Sequence, residues 1–342
     1  MKKSLIILPL AAAVAACGSD GGSSALNQIK VVGSSTVYPF TTAVAESFQR
    51  ANPGTSVIVE STGTGSGMKL FCAGVGEEHP DIVNASRRMK KSEFDMCAEA
   101  GVNNVIEVAV GIDGLTLIQA KGADPIDLTV EDIYAALAKD PYGGEQTAQN
   151  WSDVREGLPN IPIRVYGPPP TSGTRDSFAE LILEAGCASN DDMKALKESD
   201  KKAYEATCHT IREDGVFIEA GENDNLLVQK VSADDGMLGV LGYSFLEANS
   251  DKVQPVSIGG AMPNTETISS LEYPGARKLF IYVKGEHVEV KPAIRDFLNL
   301  YAQSWGSGGM LEQRGLVPLA GDDAAASNDA ATNLTTLDGS EL

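Results

Sequence analysis

Apolar residues recur along this chain in two alternating rhythms. Short runs such as Ile29-Lys30-Val31-Val32, Val57-Ile58-Val59-Glu60 and Asp81-Ile82-Val83 read as strands. Between them, Phe40, Val44 and Phe48 recur at four-residue spacing, and Met68, Phe71 and Val75 mark a second helical face. Asn52-Pro53-Gly54 stops the first of these helices. Strand, loop and helix in repeated succession predict an α/β protein with a parallel sheet. Ligands of such sheets sit beyond the carboxyl ends of the strands, where all these loops lie.

Further along, Val105 to Gln119 reads as one long strand that continues past Gly111 and Gly114. Thr129-Val130-Glu131-Asp132 opens a helix whose stripe includes Ile133 and Leu137, and Pro141 to Trp151 is a polar loop. Ile161 to Tyr166 predicts a strand leading through Gly167-Pro168-Pro169-Pro170, after which Phe178, Leu181 and Ile182 give a helical face. Gly236 to Tyr243 is apolar and Gly-rich, Lys278 to Lys284 is a strand, and Ala293 to Trp305 is a helix. From Ala320 the chain is rich in Ala, Asp, Asn and Ser and reads as a weak helix or a disordered tail. No internal repeat is evident.

The first residues have the pattern of an export leader. Lys2 and Lys3 precede an apolar run from Leu5 to Val14, and Ala15-Ala16-Cys17 is a small-residue processing site. That run is too short to span a bilayer. Val14-Ala15-Ala16-Cys17 resembles the bacterial lipobox, which implies a signal peptide over 1–16 and lipidation of Cys17; an ordinary cleaved signal with a chance cysteine is the alternative. Gly and Ser dominate residues 18–25, so 17–25 reads as a lipidated, flexible tether. The roughly 315 residues that follow exceed one compact core and suit two domains.

Acidic residues outnumber basic ones by 47 to 27. Nucleic-acid partners, which want basic stripes, are thereby disfavoured. The overall field also repels anions, so an anion site here must work through local dipoles and buried donors. Setting Cys17 aside leaves Cys72, Cys97, Cys187 and Cys208, an even number that suggests two disulfides in an exported chain. Cys72/Cys97 and Cys187/Cys208 are the economical pairs, although three connectivities are open. There is no CxxC, and His79, His209 and His287 lie far apart in sequence, so neither a metal site nor a cofactor is expected.

Three segments place small hydroxyl residues and glycine just ahead of a predicted helix: Gly33-Ser34-Ser35-Thr36, Thr62-Gly63-Thr64-Gly65-Ser66-Gly67 and Thr171-Ser172-Gly173-Thr174-Arg175. A helix start exposes unpaired N–H groups and partial positive charge, to which hydroxyls add neutral donors. Convergence of the three would cage a small oxyanion. Each also has a plainer reading: a helix cap at Ser35 and Thr36, a mobile turn at 62–67, and an exposed Arg175 on a first helical turn. Arg87, next to Ser86 at a strand end, is a second candidate clamp or else a surface salt bridge. Walker A is excluded because Gly67 precedes Met68-Lys69-Leu70, and the dinucleotide-binding glycine spacing is unmet. A Gly-x-Ser-x-Gly elbow is missing, which weighs against a secreted phosphatase or esterase.

Taken together, Gly33 to Pro39, Gly63 to Lys69, Asn84-Ala85-Ser86-Arg87 and Ser172 to Phe178 resemble the phosphate-binding proteins of bacterial phosphate-specific ABC transporters. Gly239-Val240-Leu241-Gly242-Tyr243 and Tyr282-Val283-Lys284 extend the resemblance, which runs from about residue 29 to Pro318. It implies a two-lobed, periplasmic-binding-protein-like (type II) α/β fold, each lobe a mainly parallel mixed sheet flanked by helices, with two hinge crossovers. Lobe one would comprise 26–112 plus 280–342, and lobe two 113–279. The implied function is an extracytoplasmic receptor, monomeric and held by its lipid anchor in the periplasm or at the cell surface. It would deliver inorganic phosphate to a permease in the inner membrane. The implied site comprises Ser35, Thr36, Thr64, Gly65, Ser86, Ser172, Gly173 and Thr174.

Two departures stand out. Arg87 occupies a position where well-known members carry an aspartate that accepts the ligand's proton, and Pro168 stands where they carry an arginine. The chain thus looks like a subgroup that clamps phosphate with two arginines, Arg87 and Arg175. Selectivity against sulfate would then need another acceptor, such as Asp113 or Asp176. A receptor for sulfate or molybdate, and an adhesion or sensory protein without a ligand, are the remaining alternatives.

Overall fold

The computed structural model describes residues 26–221 and 223–342. The expected leader, Cys17 and the rest of the tether lie outside the described residues. Nine strands form one sheet, eight of them on a continuous path in the order β2-β1-β3-β11-β4-β8-β6-β7 and the ninth, β9, paired to β4 off that path. Strands β1 (Gln28–Gly33), β2 (Ser56–Ser61) and β3 (Ile82–Ala85) are parallel to one another. Strand β4 (Val105–Ala120) carries the path onward. A separate parallel pair joins β5 (Asp127–Leu128) to β10 (Ser257–Ile258). Strands β6 (Val165–Gly167), β7 (Phe217–Glu219) and β8 (Leu238–Gly242) make a second parallel group, and β9 (Val253–Pro255) pairs antiparallel with β4. The two groups meet through β4 and β11 (Ala276–Lys284), which run antiparallel along nearly all of β11.

The burial pattern divides in the same way. One apolar cluster gathers Leu115, Leu117, Ile133, Trp151, Phe178, Leu238 and Val240. A second holds Val31, Val44, Phe48, Val108, Ile281, Phe297 and Tyr301, and a third holds Met68, Phe71, Val83 and Tyr282. The four-residue stripe at Phe40, Val44 and Phe48 is the buried face of helix Tyr38–Ala51, which has Pro39 in its first turn. Thr129 caps helix Val130–Leu137 and forms a capping box with Asp132. Disulfides join Cys72 to Cys97 and Cys187 to Cys208.

Two local expectations are corrected and one open alternative is resolved. Val75 is not on a helical face, because helix Thr64–Phe71 stops four residues earlier, and its side chain is exposed. The strand expected over 161–166 shrinks to Val165–Gly167. Pro162 has no N–H to give a ladder, and Ile161 and Ile163 bond instead to Trp151 and Gln149. Of the two alternatives left for the tail, the structure shows a helix, Gly321–Asn333, packed on β4 with Ala331 buried. Asp322 and Asp323 sit in its positive first turn, and Asp323 pairs with Lys278 at 2.6 Å.

Gly33 ends β1 with φ +127°, and a Cβ there would lie 2.2 Å from the Asn84 carbonyl oxygen. A Cβ on Gly67 would lie 2.6 Å from Gly33 Cα, so helix Thr64–Phe71 rests directly on the end of β1. Both close approaches set the loops of the first group side by side. Gly33→Ala is therefore expected to lower unfolding stability by about 2 kcal/mol or more, measured by chemical denaturation. An unchanged midpoint would contradict this packing.

Candidate functional site

The carboxyl ends of β1, β2 and β3 are laced together by backbone bonds. Ser34 N–H donates to Asn84 O at 2.9 Å, and Thr62 and Gly63 N–H donate to Gly33 O at 2.9 and 2.8 Å. Thr64 Oγ1 lies 2.9 Å from Ser86 Oγ and accepts the Ser86 N–H at 3.1 Å. Two of the predicted hydroxyl loops and the Ser86 turn thus form one edge. Gly65 is exposed, with open space where a Cβ would point.

The facing edge comes from the Ser-Gly-Thr triplet. Ser172 caps helix Gly173–Phe178 by accepting the Thr174 N–H at 3.2 Å, and helical backbone continues without a break to Cys187. The two edges touch. Ser35 Oγ donates to Asp176, Thr36 Oγ1 lies 3.4 Å from Gly173 O and 3.3 Å from Ser177 Oγ, and Ser86 Oγ lies 3.4 Å from Glu180 Oε2. Gly173 is needed here, since a Cβ would lie 2.8 Å from Ser35 O and 3.0 Å from Thr36 Cα. Beside this contact opens a cavity of about 420 Å³ lined by Ser35, Thr36, Asp113, Ser172, Thr174 and Arg314 among others.

The cation at the centre is one that local sequence patterns did not single out. Arg277 on β11 stands opposite Asp113 on β4 in the strand register. Its Nη2 donates to Thr36 Oγ1 and to Ser177 Oγ, both at 2.9 Å, and its Nη1 donates to Glu180. Its Nε lies 3.6 Å from Asp113 Oδ2 and has no hydrogen-bond acceptor among the described residues. Ser177 Oγ lies 2.7 Å from Asp113 Oδ2. Two carboxylates, Asp113 and Glu180, therefore crowd one guanidinium, while Asp176 takes the Ser35 hydroxyl beside them. At 4 Å separation and an effective dielectric near 20, each unit-charge pair is worth about 4 kcal/mol, so any anion entering here must contend with them. Ser177 carried one legible signal, its helical spacing from Gly173.

The two arginines named from the sequence are engaged elsewhere. Arg87 makes a bidentate pair with Glu93 at 2.9 and 2.7 Å, and Glu93 also accepts the Lys90 N–H that starts the next helix. Arg175 donates to Pro168 O at 3.1 Å and lies over the Phe217 ring at 4.5 Å. It lines a separate cavity of about 270 Å³ with Asp176, Glu180 and His209. The structure gives both cations protein partners rather than the hydroxyl edge. No group of three His, Cys, Asp or Glu side chains suited to a metal occurs among the described residues.

Two parallel sheet groups bridged by paired long strands, with hydroxyl loops and a helix start meeting between them, define a two-lobed solute-binding protein. The profile of the PBP superfamily domain matches residues 18–304. Protein SphX of Synechococcus elongatus is 33% identical over 326 residues, covering 93% of this chain and 86% of its own. Phosphate-binding protein PstS of Staphylococcus saprophyticus is 28% identical over 317 residues, covering 90% and 86%. The crystal structure of a possible phosphate binding protein from Planctomyces limnophilus superposes with a TM-score of 0.71 at 30% identity, covering 90% of this chain and 98% of that one. The chain belongs to the PBP superfamily and, within it, to the PstS-like phosphate-binding proteins.

Burial pushes the Asp113 carboxyl above its usual range, with Arg277 and Ser177 opposing and Glu180 reinforcing the shift. Protonation of Asp113 thus favours the fold. That contribution is complete below the unfolded value near ~4 and is lost as pH rises through the raised folded one. Carboxyl-carbon NMR should place its midpoint above the ordinary aspartate value, and Arg277→Gln should move it higher still. A midpoint at or below the ordinary value would contradict the burial of this pair.

Proposed function

We propose that the protein is an extracytoplasmic receptor that closes two lobes on inorganic phosphate and passes the ion to the permease of an ABC transporter. The observation that carries this is the meeting of the Ser35-Thr36 loop with the capped helix start at Ser172-Gly173-Thr174, from opposite sheet groups. Neutral hydroxyls and unpaired helix-start N–H groups bind an oxyanion even within a chain of formal charge −20. The names of the relatives support phosphate as the ion. The lobes are taken as 26–112 plus 280–342 and 113–279, with the hinge in β4 and β11.

In this account Ser35, Thr36, Thr64, Gly65 and Ser86 serve from one lobe, and Ser172, Gly173 and Thr174 from the other. Arg87 and Arg175 join only by leaving Glu93 and Pro168. Cys17 would anchor a monomeric receptor to the membrane through lipid; among the described residues no helix is long and apolar enough to cross one. A receptor is favoured over a hydrolase because the three histidines pair with Glu78, Glu184 and Asp81 rather than with the cleft serines.

Asp113 favours phosphate over sulfate, since a largely buried carboxylate can accept the proton of hydrogenphosphate and sulfate offers none. Calorimetric titration should show one-to-one binding of phosphate with sulfate silent. Thr36→Ala should weaken phosphate by about 2 kcal/mol, the scale of a hydrogen bond to a charged group. Asp113→Asn should narrow the gap between the two ions. Heat from sulfate alone would move the assignment to another tetrahedral oxyanion.

A further inference from the structure

The contacts that close the cleft use the very donors an anion would need. Asp176 and Glu180 lie four residues apart on the helical run from Gly173, so they share one face. Asp176 accepts the Ser35 hydroxyl, while Glu180 Oε2 faces Ser86 Oγ at 3.4 Å and takes Nη1 of Arg277. A single carboxylate oxygen thereby collects a hydroxyl and a guanidinium, as an oxygen of a bound oxyanion would. Arg87 and Arg175 are committed to Glu93 and Pro168, whereas Arg277 reaches two cavity-lining hydroxyls and keeps a buried Nε with no acceptor.

Building on the phosphate reading above, we infer that Arg277 is the cation of the ion site and that Asp176 and Glu180 are internal substitutes which phosphate displaces. A dianion must compete with Glu180 for the largely buried Arg277 guanidinium and with Asp176 for the Ser35 hydroxyl. Asp113 is fixed opposite Arg277 by strand register, but Asp176 and Glu180 are carried by the helix that starts at the triplet. The Glu180 side chain is 42% exposed and can turn into water once an anion takes its place on Arg277. Through Ser35 and Ser86 the two carboxylates thus hold the lobes together and set how much of the protein is ready to bind.

The test pairs phosphate calorimetry with small-angle scattering of the anion-free protein. An Asp176→Asn/Glu180→Gln variant keeps side-chain shape and removes both charges. It should be more extended without anion and bind inorganic phosphate on the order of tenfold more tightly, because a larger fraction is binding-competent. Arg277→Gln should lose at least about tenfold in affinity, and Arg277→Lys, which keeps charge without the planar fork, should fall between. Circular dichroism establishes that each is folded, and Arg277→Lys decides the cation's role should the Gln variant not fold. Phosphate affinity unchanged or weakened in the double variant, or undiminished in a folded Arg277 variant, overturns the inference. If the unmodified protein takes up no phosphate, the phosphate reading fails. Scattering then still decides the internal substitutes, since identical radii for the two anion-free proteins overturn them.

Discussion

The antiparallel pairing of β4 with β11 is the constraint on which the rest of the molecule depends. Its register sets Arg277 against Asp113 at the place where the two strands pass from one sheet group to the other. A slip of one residue would turn Arg277 to the opposite face and leave Asp113 without its cation. The register shifts between Leu279 and Phe280, opposite Gly111. Gly111 has φ +155°, and a Cβ there would lie 2.4 Å from Leu316 Cγ, so the C-terminal segment seals against the strand at that point. Ile112 and Val317 then exchange backbone bonds at 2.8 and 2.9 Å.

An anion receptor built from an acidic chain poses an electrostatic problem that the cleft resolves locally. Long-range attraction is not available, and screening confines the useful field to about 8 Å at physiological salt. Hydroxyls, helix-start N–H groups and one largely buried guanidinium supply what the surface does not. Their carboxylate neighbours keep these donors satisfied when no ion is bound, which avoids the cost of leaving buried donors unpaired. The same neighbours then compete with the ligand. Affinity becomes a balance between two sets of acceptors for one set of donors, and closure of the lobes is tied to that exchange.

Local chemistry made much of this legible from the residues alone. Periodicity marked the helix carrying Phe40, Val44 and Phe48, and economy of loop closure favoured the disulfide pairs that the structure shows. Hydroxyl and glycine clusters ahead of helices pointed to loops that do adjoin in space. What stayed hidden is non-local. Asp113 and Arg277 meet through strand register, and Glu180 meets Arg277 from a helix far away in sequence; neither contact leaves a trace in neighbouring residues. Adjacency instead drew attention to Arg87 and Arg175, whose partners, Glu93 and Pro168, serve the loops they belong to. The shortened β6 has a similar origin, since the strand-like pattern at Ile161 to Ile163 is used against Trp151 and Gln149 around Pro162.

The central claim is that a tetrahedral oxyanion binds where the Ser35-Thr36 loop faces the Ser172-Gly173-Thr174 helix start. Crystals grown with arsenate, a phosphate mimic that scatters anomalously, would test it most directly. The account predicts one anomalous peak between those segments, within hydrogen-bonding distance of Thr36 and the Ser172–Thr174 backbone, with Asp176 and Glu180 drawn away from Ser35 and Arg277. A peak at another place on the molecule, or a cleft that excludes arsenate and keeps its present carboxylate contacts, would contradict it.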